Sequence, residues 1–326
     1  MSTKKSVTII KKTKNSTAVR SLSFPIKPIL KWVGGKTQII DKLMAEFPAE
    51  MNNYHEIFVG GGSVLLALLT LRDMNKIKIN GNIYAYDLNE PLIHVYKNIQ
   101  TSNTELMAML QGLISEFNNC GHCEPNRNPQ THDEATMSRE SYYYWTRARY
   151  NKLTATEKKS IIGSVLFIFL NKTCFRGLFR IGPNGFNTPY GHYKNPEIIN
   201  ESHLTAISVL LRSVIFKSCD FTVALTKINT DDFVYLDPPY APETSTSFTH
   251  YTENGFTISQ HTSLFSLCNK LVDNGARIMM SNADVELVRK NFSTAKFTIK
   301  PIVCRRAINS KKPDAQAKEV IIIGGG

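Results

Sequence analysis

Short apolar segments alternate with helical segments along most of this chain, and several of the short segments end at a glycine or an acidic residue. Residues 54–59 predict a strand that stops at three glycines, and residues 63–71 predict the helix that follows. A second predicted strand, 82–86, ends at Asp87 and precedes a helix at 89–100. Repeated strand–loop–helix units are typical of a parallel, doubly wound sheet. The sequence therefore predicts an α/β protein with a mostly parallel sheet.

This alternation stops near residue 104 and returns near residue 209. The intervening residues have mostly helical spacing, with a polar loop at 118–138. Residues 171–200 are rich in Gly, Asn, Pro, Tyr and Arg, which favours loops or a hairpin. Further strands are predicted at 214–217, 233–236, 276–281, 297–302 and 319–323, and further helices at 264–271 and 285–291.

A chain of 326 residues has the length of about two domains. We predict one α/β domain formed by residues 24–103 and 209–326, interrupted by a mostly helical insertion at 104–208. Residues 1–23 are basic and rich in Ser and Thr, and we predict that they form a flexible tail.

Positive charge is concentrated in two stretches of the chain. The formal net charge is +12, and residues 1–20 contain six basic residues and no acidic one. Residues 139–194 contain ten basic and two acidic residues, so the remainder of the chain is slightly acidic. Such a concentration indicates a polyanionic partner, most often nucleic acid, although a solvated basic tail and face would give the same composition.

The six cysteines are scattered, which fits a reducing compartment better than a disulfide scaffold. Cys120 and Cys123 form one C-x-x-C, but a zinc site normally shows a second pair, so no metal is expected. No apolar run approaches the roughly 18 residues that span a bilayer, and no secretory signal is recognisable. We expect an intracellular protein with no membrane association.

Asp237, Pro238, Pro239 and Tyr240 directly follow the predicted strand 233–236. Doubly wound sheets bind ligands at the carboxyl ends of their strands. The two prolines stiffen the loop and remove backbone donors, so nearby carbonyls stay available as acceptors. This set suits a flat heterocycle whose amino group donates to Asp237 and to the Pro238 carbonyl while its ring stacks on Tyr240. The alternative is a rigid turn that ends a core strand.

A glycine loop, Gly60 to Gly62, separates the strand 54–59 from the next helix. Such a loop lets the backbone approach a ligand at a helix N-terminus. No Gly-Lys-Ser/Thr follows, which excludes a Walker loop, and the third glycine of a dinucleotide fingerprint would fall at Leu65. Asp87 lies 25 residues after Gly62, where an acidic residue binds a ribose diol. A tight turn without a ligand is the alternative.

A third motif, Pro28–Lys36, places Trp32, Lys31 and Lys36 around a glycine pair just before a helix. The alternative is a buried tryptophan that anchors the start of the domain. Four features now follow one another along the chain: K-W-x-G-G-K, F-x-G-x-G, an acid after the next strand, and D-P-P-Y. In this order they resemble the Dam-type DNA adenine-N6 methyltransferases of the alpha group. The resemblance extends from about Phe24 to Ile323, nearly the whole chain.

The resemblance implies a fold of the S-adenosylmethionine-dependent methyltransferase type and methyl transfer from S-adenosylmethionine to N6 of a flipped adenine. It makes the α/β domain catalytic and residues 104–208 the target-recognition insertion on double-stranded DNA, with GATC the leading site. The cofactor-binding residues it implies are Trp32, Lys36, Phe58, Gly60, Gly62, Asp87 and Asp237. The catalytic residues it implies are Asp237, Pro238, Pro239 and Tyr240.

Cations and rigid turns lie close together in residues 176–191, and arginine is the side chain that best reads guanine. By resemblance, Arg180 matches a base-reading arginine of the family. The polar segment 241–256 is predicted to close over the flipped base, with an ordinary surface loop as the alternative. The predicted DNA-binding residues are Arg176, Leu178, Arg180, Pro189 and Phe248.

Two alternatives remain open at this point. One is methylation of RNA or of a protein glutamine, although those enzymes commonly have Asn where this chain has Asp237. The other is a catalytically silent DNA-binding relative, against which the intact glycine loop and D-P-P-Y argue. A companion restriction endonuclease and the exact site are left undecided, and we expect a monomer or a weak dimer on DNA.

Overall fold

The computed structural model describes residues 26–242, 256–305 and 316–325. Its strands are β1 (Glu50–Met51), β2 (Tyr54–Glu56), β3 (Lys78–Ile79), β4 (Ile83–Asp87), β5 (Ile181–Gly182), β6 (Gly185–Phe186), β7 (Val214–Ser218), β8 (Phe233–Leu236), β9 (Arg277–Ala283), β10 (Phe297–Arg305) and β11 (Gln316–Gly324). The predicted tail lies outside the described residues.

Helices alternate with the strands and also fill the segment between β4 and β7. They are α1 (Ile40–Met44), α2 (Ser63–Asp73), α3 (Glu90–Thr101), α4 (Asn103–Asn118), α5 (His132–Thr136), α6 (Arg139–Lys152), α7 (Ala155–Lys159), α8 (Ile161–Thr173), α9 (Glu201–Leu211), α10 (Phe221–Leu225), α11 (Ile258–Asp273) and α12 (Glu286–Asn291). Short 3-10 turns lie at Lys36–Gln38 and Phe175–Gly177. Among the described residues, no helix has the length and apolar character needed to cross a membrane.

Within the described residues, seven strands form the central sheet in the order β10-β11-β9-β8-β2-β4-β7. The neighbours from β9 to β7 are parallel, whereas β11 is antiparallel to both β9 and β10. The predicted doubly wound, mostly parallel sheet is therefore confirmed. Two small pairs lie outside it: β1 with β3, and the hairpin β5–β6.

Each face of the sheet has its own apolar core. On β8, Tyr235 belongs to the first core, whereas Val234 and Leu236 belong to the second, as the two-residue period of a strand requires. The second core is completed by α10, α11 and α12. The first core runs from the sheet through α2 and α3 into α4, α6 and α8, so the helices of the segment 104–208 share it with the sheet.

The chain changes direction across the sheet at β2. From β2 it adds β4 and β7 on one side, then returns to add β8 and β9 on the other. Sheets of this kind bind ligands in the crevice outside the carboxyl ends of the two strands where the order reverses, here β2 and β8. The glycine loop after β2 and the Asp-Pro-Pro-Tyr loop after β8 both begin at this crevice.

Several elements differ in length from their sequence predictions. The strand predicted at 54–59 ends at Glu56, because the chain then turns into the glycine loop. The polar loop predicted at 118–138 contains α5, which begins where the Thr131 side chain accepts a hydrogen bond from Glu134 N. The predicted hairpin in 171–200 is present as β5–β6.

Candidate active site

Three acidic side chains meet at the carboxyl edge of the sheet. Glu56 ends β2, Asp87 ends β4 and Asp237 follows β8. Because parallel strands end at the same edge, the spacing of Asp87 and Asp237 in sequence is compatible with one shared site. Glu56 joins them, although it was not among the predicted site residues.

Lys36 and Asp237 form a buried ion pair. The Lys36 Nζ lies 2.6 Å from Asp237 Oδ2, and the two side chains are 5% and 19% exposed. Lys36 Nζ also donates to the Gly34 carbonyl at 2.6 Å and lies 5.0 Å from the centroid of the Tyr240 ring. Burial raises the pKa of the Asp237 carboxyl, and the neighbouring Lys36 ammonium opposes that rise. The structure thus brings three predicted site residues, Lys36, Asp237 and Tyr240, into contact.

The loop after Asp237 is held by β9, which is next to β8, and by β11, which lies beyond β9. The Tyr240 hydroxyl donates to Glu319 Oε2 of β11 at 2.9 Å, and Ala241 N donates to Asn282 Oδ1 of β9 at 3.0 Å. Burial is the largest cause that raises the pKa of Tyr240, so the phenol stays protonated and remains a donor. Glu319 was missed from sequence, and its signal is an acidic residue that precedes the apolar run 320–323.

The glycine loop is free of side chains where α2 begins. Gly62 has the left-handed φ of 73° that favours glycine, and α2 starts at the next residue. Trp32 lies on the loop, because a Cβ built at Gly60 would fall 2.8 Å from Trp32 Cδ1 and one at Gly61 would fall 2.8 Å from Trp32 Cβ. The Tyr96 hydroxyl fixes the loop from below by donating to Gly60 O at 2.7 Å. The result is a backbone cradle at a helix N-terminus.

Asp87 is hydrogen-bonded to this loop. Its Oδ2 accepts from Gly60 N at 3.0 Å and its Oδ1 accepts from Asn89 N at 2.9 Å. Burial raises the pKa of Asp87, and these backbone donors oppose the rise. Each carboxylate oxygen has a second lone pair, so Asp87 can accept from two further hydroxyl groups while it keeps the loop in place.

Glu56 is the most deeply buried of the three carboxyls, at 2% exposure. The Tyr54 hydroxyl donates to its Oε2 at 2.8 Å. Burial raises the pKa of Glu56 to about 8, and the charge of Asp237 adds to the rise. At neutral pH this carboxyl therefore holds a proton for most of the time.

Phe58 lies in an aromatic cluster between β2 and α11. Its ring centroid is 6.1 Å from that of Phe221 and 6.0 Å from that of Phe256. His261 packs against Phe256 at 4.7 Å, is fully buried, and has no hydrogen-bond partner for either ring nitrogen within the described structure. Phe221 was missed from the sequence, although Asp220 and Phe221 follow β7 at the same sheet edge where Asp87 ends β4.

Four of the five predicted DNA-binding residues lie together on one surface. Arg176, Arg180 and Pro189 are exposed and Leu178 is half-buried. Phe175 N donates to the Pro189 carbonyl at 2.8 Å, so the two segments that contain these residues run side by side. The fifth, Phe248, lies outside the described residues, as does most of the predicted closing loop.

Arg180 is held in an oriented position. Its Nε donates to Asn187 Oδ1 at 2.6 Å and an outer guanidinium nitrogen donates to Asn187 O at 3.3 Å. Within the part of the chain that is described, no group of three or more His, Cys, Asp or Glu side chains could hold a metal ion.

Comparison with known proteins agrees with this geometry. The sequence profile of a family described as "D12 class N6 adenine-specific DNA methyltransferase" matches residues 32–308. The chain is 37% identical over 294 residues to "Type II methyltransferase M.MjaIII" of Methanocaldococcus jannaschii, a match that covers 88% of this chain and 94% of the relative. It is 32% identical to "DNA adenine methylase" of Haemophilus influenzae (92% and 94% covered) and 28% identical to "DNA adenine methylase" of Escherichia coli K12 (87% and 90% covered).

Proposed function

Because this chain belongs to the D12 class N6 adenine-specific DNA methyltransferases, we propose that it transfers the methyl group of S-adenosylmethionine to N6 of a flipped adenine, with Asp237 as the acceptor that activates N6. The chain is an adenine-N6 DNA methyltransferase, so the predicted family and the predicted class of enzyme are both confirmed. The methyl donor, base flipping, the target site and the role of each residue belong to the proposal.

The residues at the carboxyl edge fit S-adenosylmethionine. Gly60 to Gly62 bring bare backbone to the start of α2, with Trp32 and Tyr96 packed where side chains of the loop would lie. Asp87 next to the loop has lone pairs for two ribose hydroxyls. Phe58 and its aromatic neighbours suit a purine ring. When bound, S-adenosylmethionine supplies a methyl group on a cationic sulfur, which is already activated for transfer.

The chain's task is then to prepare the adenine amino group. The lone pair of N6 is delocalised into the ring, which makes the amino group a poor nucleophile. Asp237 and the Pro238 carbonyl accept hydrogen bonds from the N6 hydrogens and so localise the lone pair on nitrogen. Lys36 holds the Asp237 carboxylate ionised and in place, and Tyr240, fixed by Glu319, offers its ring for stacking. Positioning and electrostatics are the main contributions.

Access to N6 requires that the adenine leave the duplex, since the reacting atom is inside the base stack. We propose that the exposed surface with Arg176, Leu178, Arg180 and Pro189 holds the duplex while the base enters the crevice beside Asp237. GATC is the proposed target. The relative named a Type II methyltransferase supports a role in restriction–modification, with access to intracellular DNA.

The single observation that supports this mechanism best is the buried Asp237 carboxylate beside Lys36 and Tyr240 at the ligand edge of the sheet. Replacement of Asp237 by Asn keeps the size of the side chain but turns one acceptor into a donor that faces the N6 hydrogens. We expect Asp237→Asn to lose more than nine-tenths of the single-turnover rate. Asp231→Asn, exposed at the opposite edge of the sheet and in a left-handed conformation that Asn tolerates, is the matched control.

The assay follows labelled S-adenosylmethionine into a GATC duplex and identifies N6-methyladenine by mass spectrometry. Retention of more than a tenth of the wild-type rate by Asp237→Asn would contradict the catalytic assignment. Parallel reactions with RNA and with protein test the two alternative acceptors. A flipped adenine is detected separately, by the fluorescence of 2-aminopurine at the target position.

A further inference from the structure

Asn171, near the end of α8, joins two distant parts of the chain. It is 2% exposed. Lys31 N donates to Asn171 Oδ1 at 2.9 Å, and Asn171 Nδ2 donates to Lys31 O at 2.8 Å and to Gly177 O at 3.2 Å. One side-chain amide thus satisfies both backbone groups of Lys31, as a neighbouring strand would, and also holds the recognition turn, which we define as residues 175–180.

Trp32, which follows Lys31 in the chain, contacts both the recognition turn and the glycine loop. Its ring stacks on Phe179 of the recognition turn, with the ring centroids 5.9 Å apart and the planes at 21°. It also lies against Gly60 and Gly61, where an added Cβ would fall 2.8 Å from the tryptophan side chain. A displacement of the recognition turn would therefore be transmitted to the glycine loop through the Trp32 side chain.

The recognition turn has an unusual backbone. Arg176 and Gly177 are consecutive left-handed residues, with φ of 56° and 66°. A non-glycine side chain in this region is strained, and such conformations persist only where the surroundings hold them. Here the surroundings include Lys31, whose side chain packs where Gly177 lacks a Cβ, and whose Nζ lies 3.9 Å over the ring of Tyr193.

We propose that Asn171 is a positioning residue that couples DNA binding at the recognition turn to S-adenosylmethionine binding at the glycine loop. Asn171 sets the register between Lys31 and the turn, and Trp32 transmits that register to Gly60 and Gly61. DNA that fits the turn fixes Trp32 in the position that shapes the cofactor cradle. The coupling is reciprocal, since a ligand that tightens the binding of another is itself tightened by the same factor. This inference rests on the proposed function.

The test measures the Kd of the product analogue S-adenosylhomocysteine by calorimetry, with and without a duplex that the wild type methylates. We expect the duplex to lower the wild-type Kd by at least about fivefold, the lower end of common coupling factors. Asn171→Asp keeps the acceptor for Lys31 N but sets a carboxylate against the carbonyls of Lys31 and Gly177. We expect its coupling factor to fall to near one.

The chain offers a matched control in Asn151. Phe186 N donates to Asn151 Oδ1 at 2.8 Å, and Asn151 Nδ2 donates to Phe186 O at 2.9 Å. Unlike Asn171 and Lys31, Asn151 and Phe186 both lie within the segment 104–208. Asn151→Asp should therefore keep the wild-type coupling factor. Phe179→Leu removes the stacking on Trp32 without disturbing a buried hydrogen bond, and it should lose the coupling even if Asn171→Asp fails to fold.

Each outcome decides the inference. A wild-type factor of one, or a wild-type factor retained in Asn171→Asp or in Phe179→Leu, overturns it. If the wild type bound no S-adenosylhomocysteine and methylated no duplex, the proposed function would fail instead. Binding and methylation without coupling would leave the proposed function intact and overturn this inference alone.

Discussion

At the scale of single residues, three carboxyls at one sheet edge have three different environments. Asp237 faces the ammonium of Lys36, Asp87 accepts from two backbone N–H groups, and Glu56 is buried against the hydroxyl of Tyr54. Burial raises the pKa of all three carboxyls. At Asp237 a cation opposes this rise and at Asp87 two backbone N–H donors oppose it, whereas Glu56 has neither at hydrogen-bond distance among the described contacts. Glu56 is therefore the carboxyl whose charge changes near neutral pH.

Glu56→Gln should flatten the pH dependence of folding stability. The folded-state pKa of about 8 exceeds the ordinary value of 4.5, so between these values the folded state holds a proton that the unfolded state releases. The stability that this proton contributes is fully present below pH 4.5 and is lost as pH rises through 8, with a slope of at most about 1.4 kcal/mol per pH unit. Glutamine keeps the acceptor for Tyr54 and has no proton to lose.

Urea unfolding at pH 6 and at pH 8.5 measures this effect. We expect the wild type to lose more free energy of unfolding between the two pH values than Glu56→Gln does. Glu105→Gln, an exposed change on α4, serves as the control and should behave as the wild type does. Parallel pH profiles for the wild type and Glu56→Gln would show that Glu56 is already charged at neutral pH.

Sequence reasoning found the residues of the site that have a local signal. Lys36 follows a glycine pair, Asp237 precedes two prolines and Asp87 ends a predicted strand. The structure brings Lys36 into contact with Asp237. Glu319 and Phe221 were missed, because their relevance depends on which strands are neighbours in the sheet. Pairing of β11 with β9 brings Glu319 to Tyr240, and no local pattern encodes that pairing.

At the scale of elements, the glycine loop depends on its contact with Trp32. Gly61 has an ordinary backbone conformation, so alanine there would add no φ strain but would place a Cβ 2.8 Å from Trp32 Cβ. We expect Gly61→Ala to weaken the binding of S-adenosylmethionine at least tenfold by displacing Trp32 from the loop. Calorimetry measures the affinity.

Gly112→Ala is the control for this prediction, because nothing lies within 4 Å of a Cβ at that exposed helical position. It should bind S-adenosylmethionine as the wild type does and gain about 0.5–1 kcal/mol of stability, since glycine is costly inside a helix. An unchanged affinity in Gly61→Ala would mean that Trp32 yields without effect on the cofactor site.

Arg180 and Asn187, which flank the hairpin β5–β6, give a second prediction at this scale. Asn187 aims the Arg180 guanidinium, which suits a bidentate contact with a guanine. Arg180→Ala should lower methylation of the cognate duplex by about 5- to 150-fold, the equivalent of roughly 1–3 kcal/mol, and leave duplexes altered at that one base almost unaffected. A panel of single-base variants of the duplex checks this. Equal losses on every duplex would reduce Arg180 to a backbone contact and leave Arg176 as the next candidate.

Elements with a strong local signal were predicted closely. The apolar run 233–236 is β8 with identical bounds, and the glycines and prolines located the loops that follow β2 and β8. The 3-10 turn at Lys36–Gln38 and the short helix α5 were not predicted, because each is fixed by contacts made in the folded chain. Lys36 N, for example, donates to Ser63 Oγ at 3.1 Å.

At the scale of the whole molecule, the net charge of +12 lies mainly on the segment 139–194 and the tail. On α6, Arg149 is half-buried and Lys152 is exposed, and we propose that both contact DNA phosphates. Replacing both by Gln should reduce the slope of log K against log salt concentration by about two, because each lost phosphate contact removes about 0.9. Cognate and non-cognate duplexes should weaken alike.

Fluorescence anisotropy at several salt concentrations measures that slope. Lys270→Gln with Lys290→Gln makes the same change of charge on the helices of the other sheet face, and it should leave the slope unchanged. If both pairs lower the slope equally, the protein's total charge, and not the surface of α6, governs its attraction to DNA.

The fold class and the interruption of the sheet by helices were both predictable from the alternation of strands and helices. The antiparallel insertion of β11 between β9 and β10 was not, since strand order depends on long-range pairing. Nor was the shared core, in which helices of the segment 104–208 pack on α3.

The order of strands in the sheet also determines when the neighbours of β2 become available during synthesis of the chain. His55 in β2 pairs with Tyr84 of β4 on one side but with Val234 of β8 on the other. At 5–20 residues per second, a ribosome needs roughly 10–35 s to deliver the second partner after the first strand emerges. During that interval the central strand has an open edge and an uncovered apolar face. A nascent chain stalled before β8 should therefore require a chaperone to stay unaggregated, whereas one released after β11, which covers the outer edge of β9, should not.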